Sequence, residues 1–270
     1  MSIEYLEGIN VGDKIKLQEN NRLRPEQSLP ILKNRINEQS RAYNEFYGCE
    51  FLDDDASIKM SSHPDWLKDE AISDAKEQVW ASEEKKSWER WRADKEKDPA
   101  FLNELALTLG LQRCLPDSCI VVRSCRHDDY ENGFDTFIAD KASGAVICGI
   151  DEVIDRLGNT GPSIKEKKVR QKMLKGGAEI KYGLYFKQGE MKFDHLKHIP
   201  AVYLSLSRAE LDNLCLSLKE DEPSEGEKSL FQRLLLSLSK QIESYSSLPL
   251  DNDLRSNVQI CAQALSSWLK

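Results

Sequence analysis

Residues Phe134 to Val153 read FDTFIADKASGAVICGIDEV, in which two apolar runs flank a short turn that ends in Gly144. Runs of β-branched and aromatic residues around a glycine turn are typical of a β-hairpin. A three-residue loop over residues 142–144, with the glycine in the left-handed conformation, is a common connection. Both faces of the runs are apolar except at the open end, so we predict that these strands lie inside a sheet.

The turn also predicts the register of the hairpin. With Lys141 opposite Ala145, counting outward places Asp135 directly opposite Asp151. The alternation along a strand then assigns Asp135, Gly149 and Asp151 to one face, and Phe134 and Thr136 to the other. Like charges on opposing residues destabilise a strand pair, and a divalent cation that accepts oxygen ligands would remove this penalty. Alternatively, both acids lie at a frayed end of the sheet, in water or paired with an arginine.

Helix and strand patterns on both sides of the hairpin predict an α+β fold. Asp98 followed by Pro99 is an N-cap and first-turn signal, and it begins an apolar helix over 100–111. Strands are predicted at 118–124, 134–140, 145–153 and 199–206, with a basic helix over 163–174 and a second hairpin over 178–193 that turns at 188–189. Further helices are predicted at 29–47, 208–218, 228–243 and 254–269. We therefore predict a central mixed β-sheet flanked by helices, with a helical N-terminal region (1–97), an α/β core (98–207) and C-terminal helices packed on that core (208–270).

The net charge of −8 is unevenly distributed along the 270 residues. The segment from Ser163 to Pro200 contains ten Lys or Arg residues against four Asp or Glu residues. A basic face on an acidic body is a footprint for a local anionic partner, although a solvated helix face has the same composition. No apolar run is long enough for a membrane span, and the segment from Met1 to Gly12 lacks the pattern of a signal peptide. We therefore expect a cytoplasmic protein without a membrane partner.

The seven cysteines are scattered along the chain, and we expect them to be reduced thiols. Cys114, Cys119 and Cys125, with His127 nearby, lack the paired spacings of a structural zinc site.

A charged segment over 65–95 carries four of the five tryptophans, namely Trp66, Trp80, Trp88 and Trp91. The last three fall near one helical face. Anchoring in the core is the ordinary role of such residues, and stacking on nucleic-acid bases or packing on a partner helix is the alternative.

The acids and the order of elements together resemble the PD-(D/E)XK nuclease superfamily, whose fold many restriction enzymes share. The similarity covers about residues 98–207, with Glu104 on the first helix and with Asp135 and Asp151 on two successive strands. The resemblance implies a restriction-endonuclease-like core and phosphodiester hydrolysis that depends on Mg²⁺ or Mn²⁺. It assigns Asp135 and Asp151 to the two metal-binding acids of the family, with Glu152 as a further metal ligand, and Glu104 to the glutamate that some members carry on the helix.

The lysine of the family motif is missing. It should follow two residues after the second acid, where this chain has Val153, and shifting the motif to Glu152 does not restore it. Phe134 also replaces the proline that precedes the first aspartate. Some members of the family supply the lysine from a neighbouring element. Lys165 and Lys168 on the basic helix are the candidates here, and we assign the catalytic role to Lys168.

The sequence therefore predicts a metal-dependent nuclease of the restriction or defence type that acts on DNA in preference to RNA, and it leaves a homodimer open. The predicted catalytic set is Glu104, Asp135, Asp151 and Lys168. Backbone phosphates would be contacted by Lys165, Lys167, Arg170 and Lys172, which would make binding strongly salt-dependent. Two alternatives remain. The missing lysine favours a non-catalytic member of the same fold that binds nucleic acid or a protein, and the third possibility is an unrelated α+β regulatory protein.

Overall fold

The computed structural model describes residues 25–155, 161–187 and 190–270. The predicted turn at residues 188–189 lies outside these ranges. The helices are α1 (Pro25–Tyr47), α2 (Trp66–Glu83), α3 (Trp88–Lys95), α4 (Pro99–Cys114), α5 (Arg126–Asn132), α6 (Gly161–Leu174), α7 (Arg208–Ser217), α8 (Glu225–Tyr245) and α9 (Asn252–Trp268). The strands are β1 (Cys119–Arg123), β2 (Thr136–Asp140), β3 (Val146–Asp155), β4 (Ala178–Lys187), β5 (Glu190–Ile199) and β6 (Ala201–Ser207).

Four of these strands form a mixed sheet in the order β1-β2-β3-β6. The first three are antiparallel neighbours, whereas β6 runs parallel to β3. Strands β4 and β5 form a separate antiparallel pair. The prediction of an α+β fold with a central mixed sheet flanked by helices is therefore confirmed.

The helix before the sheet begins where the sequence predicts. The Asp98 side chain accepts a hydrogen bond from the Ala100 amide at 2.8 Å, and Pro99 occupies the first turn. Six consecutive residues of α4, from Leu105 to Gly110, are buried, so the helix has no exposed side over this stretch. A helix that is apolar all round has to lie in the interior, and α4 contacts both β1 and β3 of the sheet.

The hairpin has the predicted register at its open end but a longer loop. Thr136 lies opposite Ile150, as predicted, whereas a bulge between Ile138 and Ala139 shifts the pairing towards the turn. The Asp140 amide therefore donates to the Ala145 carbonyl, and the loop has four residues instead of three. The Asp140 carboxylate accepts bonds from the amide and hydroxyl of Ser143, which stabilises the longer turn. Gly144 is left-handed, with φ of 69°.

The alternation of side chains fails at Phe134, which was predicted to lie on the face of Thr136. The ring of Phe134 instead covers Gly149 on the other face, where a Cβ atom on this glycine would lie 2.8 Å from the ring. Strand β2 begins only at Thr136, and the Asp135 amide bonds to the Ile150 carbonyl outside the regular ladder. The backbone departs from regular strand geometry there, so the ring of Phe134 reaches the interior and Asp135 is left at the end of the sheet.

Buried apolar side chains form a connected cluster that extends from Leu32 in α1 through Phe137 in β2 to Leu265 in α9. The C-terminal helices pack on the sheet, since α8 contacts β6 and α9 contacts β3. None of the helices in the described ranges combines the length and the apolarity that a membrane crossing requires. All seven cysteines are free thiols, and five of them are buried. Of the tryptophans in the charged segment, Trp91 is buried, while Trp66, Trp80 and Trp88 are partly exposed.

Two helical glycines provide a test of how closely α4 packs. A Cβ atom on Gly110 would lie 2.3 Å from the Phe231 ring of α8, whereas the nearest atom to such a Cβ on Gly226 is 3.8 Å away. We expect Gly110→Ala to lower the free energy of unfolding by about 1–3 kcal/mol through overpacking. Gly226→Ala should raise it by about 0.5 kcal/mol, because alanine favours the helical conformation. Urea unfolding of both variants measures the two effects, and a neutral or stabilising Gly110→Ala would contradict the packing described.

Candidate active site

Five carboxylates meet at one end of the four-stranded sheet. They come from different elements: Glu104 from α4, Asp129 from α5, Asp135 from the residue before β2, and Asp151 and Glu152 from β3. Burial raises the pKa of Asp135 well above its ordinary value, and the charges of the other four acids raise it further. The four acids that the sequence predicts for the site are therefore brought together, and Asp129 joins them.

Two cavities open on either side of this cluster, and Asp129 lines both of them. The first, of about 630 Å³, is lined by Asp135 and Asp151 together with four lysines, Lys165, Lys168, Lys172 and Lys175. We call it the lysine cavity. The second, of about 840 Å³, is lined by Glu104 and Arg123 and by four aromatic rings, those of Trp80, Trp91, Phe101 and Tyr130. We call it the aromatic cavity.

An ion pair joins Lys165 of α6 to Asp151 of β3. The Lys165 ammonium contacts Oδ1 of Asp151, and no hydrogen bond from a described residue reaches Oδ2. Val169 and Met173 are buried beneath α6, and Lys165 lies one turn before Val169 on the same side of the helix. The packing of α6 thus directs Lys165 towards the acids.

The other basic residues of α6 have different positions. Lys168, which we predicted to be catalytic, is exposed on the wall of the lysine cavity. Lys167 and Arg170 are exposed. They do not line that cavity, although they lie on the same helix. Lys172 points inward, and burial lowers its pKa to about 8.

Lys172 holds the backbone that precedes Asp135. Its ammonium donates to the carbonyl oxygens of Asn132 and Gly133, at 3.1 Å for the latter, and lies 3.8 Å from the centre of the Phe134 ring. These carbonyls belong to the C-terminal end of α5, where a cation is favourable. Lys172 therefore contributes to the position of Asp135 rather than offering a free charge to a ligand.

Arg123 neutralises acids on the side of the aromatic cavity. Its guanidinium bonds to Asp55 at 2.5 Å and to Glu104 at 2.7 Å, and the residue is 8% exposed. Arg123 lies opposite Thr136 in the sheet, on the face towards α4. This role of Asp55 could not be predicted from the sequence, because Asp55 lies in a loop 68 positions before Arg123.

Asp135 and Glu152 are less well compensated. The Asp135 carboxylate accepts a hydrogen bond from the Glu152 amide at 2.5 Å. The carboxylate of Glu152 is buried, and neither of its oxygens makes a hydrogen bond of normal geometry to a described residue, although the nearby Thr136 hydroxyl partly offsets the rise of its pKa. Burial, with the charge of Glu104 next, raises the pKa of Glu152 well above its ordinary value. Buried acids without partners are costly, and groups of this kind are concentrated at functional sites.

The acids are chemically suited to a hard divalent cation. Asp135 and Asp151 line one cavity and offer the oxygen ligands that Mg²⁺ prefers, and the buried oxygens of Glu152 lack a partner. Within the described ranges, however, no three His, Cys, Asp or Glu side chains are already arranged around a common metal position. The cysteines and His127 that were considered for zinc do not form such a group either. A cation at this site would have to share Asp151 with Lys165.

Asp129 was missed by the sequence analysis, and its titration can be tested. Burial, followed by the charge of Glu104, raises its pKa from 3.8 to about 7. A raised pKa in the folded state means that this residue favours folding at low pH, and that the contribution is lost as the pH rises towards and through 7. We expect Asp129→Asn, without metal, to be more stable than the wild type by about 1–3 kcal/mol at pH 8 and equal to it near pH 4. Urea unfolding across this pH range measures the difference.

Asp117→Asn is the control, because it removes an exposed carboxylate outside the site. A difference between wild type and Asp129→Asn that does not change with pH would contradict the assignment.

Comparison with known proteins identifies no relative. No family model matches the chain. No curated protein and no solved structure matches it either. The function therefore has to be inferred from the site.

Proposed function

We propose that the protein is a metal-dependent nuclease with a restriction-endonuclease-like core, which hydrolyses phosphodiester bonds in DNA in preference to RNA. The observation that carries the proposal is the contact between Lys165 and Asp151. A lysine from α6 thereby lies beside the second acid, although the strand position two residues after that acid is Val153. The role that we predicted for Lys168 is therefore proposed for Lys165.

The topology around the acids supports this proposal. An acid-bearing helix, three antiparallel strands, a helix and a strand parallel to the third follow one another along the chain, with the short helix α5 inserted between β1 and β2 and the pair β4 and β5 inserted before the last strand. This is the order of elements on which the resemblance to the PD-(D/E)XK superfamily rests. The parallel alignment of β6 with β3 puts Tyr203 beside Asp151, so the second acid lies within a paired strand and not on a mobile loop.

Asp135 and Asp151 are the proposed ligands of Mg²⁺ or Mn²⁺, with Glu152 behind them. When bound, the cation would polarise the scissile phosphate and lower the pKa of a water molecule. The ammonium of Lys165 would stabilise the negative charge that develops on the phosphate, since its position is fixed by α6 before the substrate arrives. Glu104 would remain paired with Arg123 and would contribute to the negative field that attracts the cation.

The lysine cavity is the proposed site for the phosphate backbone. Lys168 and Lys175 extend from its wall, and Lys167 and Arg170 continue the positive surface along the exposed side of α6. Each phosphate contact of this kind releases counterions, so the affinity should fall steeply with salt concentration. The basic helix and the acid cluster are thus adjacent, as a nuclease requires.

A second function is favoured by a specific observation. Asp151 is already paired with Lys165, and no metal site is assembled among the described residues. A protein that binds nucleic acid without cleaving it would need only the lysines, and an ion pair at Asp151 would stabilise its fold. A non-catalytic binding protein of the same fold is therefore the alternative.

Three variants and a plasmid assay test the nuclease proposal. We expect Asp151→Asn to lower the cleavage rate of supercoiled plasmid with Mg²⁺ or Mn²⁺ by at least a hundredfold, because it weakens cation binding. Lys165→Ala should lower it by about a hundredfold or more, the usual effect of losing one group that stabilises the transition state. Lys240→Ala, exposed on α8 and outside both cavities, is the matched control and should retain the rate within about threefold. Removing the metal with EDTA should abolish cleavage.

The outcomes separate the two functions. Cleavage that survives Asp151→Asn would exclude the proposed site. The non-catalytic alternative is supported if neither metal gives cleavage but DNA still binds. This binding should then be sensitive to salt and should be lost when Lys165, Lys168 and Arg170 are replaced by Glu. Circular dichroism of each variant shows whether a loss reflects unfolding instead.

A further inference from the structure

The aromatic cavity is a second concave surface beside the acid cluster, and the proposed hydrolysis does not use its rings. Trp80 lines this cavity, with the centre of the Tyr130 ring at 4.9 Å and nearly perpendicular and the centre of the Trp91 ring at 5.9 Å. Trp80 and Tyr130 are partly exposed, whereas Trp91 is 4% exposed. The volume of about 840 Å³ is within the range of small-molecule sites. Its rings offer a surface on which a planar group can stack.

The charges on the cavity walls exclude a phosphate. Eight Asp or Glu residues line the cavity against four Lys or Arg residues. The arginines among them are already paired with carboxylates: Arg92 and Arg126 with Glu77, and Arg123 with Glu104. An anionic group would therefore meet a net negative surface. A neutral planar group is not repelled by this surface. Its exocyclic amino groups can donate hydrogen bonds to the carboxylate oxygens of the wall.

Two buried polar atoms on the wall lack partners. The hydroxyl of Ser124, a residue 6% exposed, and Nε of Arg123, a residue 8% exposed, have no hydrogen bond among the described residues. Both residues line the aromatic cavity. Buried polar groups without partners are uncommon in folded proteins, and these two atoms lie beneath the surface of the cavity. The groups that a base can contact directly are therefore the partly exposed rings of Trp80 and Tyr130 and the carboxylates of the wall.

We propose that the aromatic cavity binds an unpaired nucleobase of the nucleic-acid substrate. Asp129 lines both cavities, so a nucleotide whose phosphate contacts the lysines of α6 can place a neighbouring base against the partly exposed rings of Trp80 and Tyr130. The substrate is then a single-stranded or locally unpaired segment, because a base inside a duplex cannot reach the rings. This inference rests on the proposed function for the path of the backbone, and it adds the strandedness of the substrate.

Binding without cleavage tests the proposal. The probes are a single-stranded DNA decamer and a decamer of the same number of phosphates in which every sugar is abasic, both labelled for fluorescence anisotropy. In the Asp151→Asn protein, we expect the base-bearing decamer to bind at least tenfold more tightly than the abasic one. Adding Trp80→Leu should reduce this ratio to threefold or less and leave the salt dependence unchanged, since the phosphate contacts remain.

Trp268→Leu is the matched control, because Trp268 is a partly exposed tryptophan of α9 that does not line the cavity. It should keep the tenfold ratio. If Trp80→Leu does not fold, Ala100→Leu replaces it: Ala100 is exposed on α4 at the cavity wall, and the larger side chain obstructs the cavity without disturbing the core.

Equal affinities for the two decamers, or a ratio that neither cavity variant changes, would overturn the proposal. Spermidine is the cationic probe, with tryptophan fluorescence as the readout. Saturable quenching that the decamer does not reverse would assign the cavity to a cationic ligand and would also overturn the proposal. Neither readout depends on cleavage. A protein that cleaves no substrate but retains the ratio, and loses it in Trp80→Leu, supports the base site and contradicts the nuclease proposal alone.

Discussion

The concentration of carboxylates at one end of the sheet is the constraint on which the site depends. Arg123 pairs with Glu104, and Lys165 pairs with Asp151, while Asp135 and Glu152 have no ion pair with a described residue. Burying such groups reduces the stability of the folded state, because each loses hydration that no partner replaces. The apolar cluster around the sheet must therefore compensate for the stability that is lost at the acid cluster, which is the usual balance between a fold and a functional site.

The position of Lys165 follows from the packing of α6 and not from the ion pair itself. Val169 and Met173 are buried on the inner side of this helix, and the sulfur of Met173 also accepts a hydrogen bond from the Ala201 amide. Lys172, one turn further, is held by two backbone carbonyls. The backbone of Lys165 is therefore held by the packing of α6, so the ion pair with Asp151 costs only the rotamer freedom of the lysine side chain.

The local pattern of apolar, polar and glycine residues predicted more of the fold than of the candidate site. The glycine turn and the apolar runs predicted the register that puts Thr136 opposite Ile150. The bulge that lengthens the loop was not predicted, because it depends on the hydrogen bonds of the Asp140 carboxylate to the turn. Asp129 was missed because α5 has seven residues and no apolar periodicity. The choice between Lys165 and Lys168 could, by contrast, have been made from the sequence. Lys165 lies four positions before the apolar Val169 and therefore on the inner side of the helix.

The ion pair at Asp151 bears on both proposed functions. Lys165 contacts Oδ1 of Asp151, so Asp135 and Asp151 would hold a cation while the ion pair remains. The ion pair and the cation would together supply positive charge to a phosphate that enters the lysine cavity. If the cation never binds, the same pair neutralises Asp151 permanently and makes the acid structural. The difference between an enzyme and a binding protein is therefore whether a cation displaces the protons that the raised pKa values of Asp129, Asp135 and Glu152 favour at this end of the sheet.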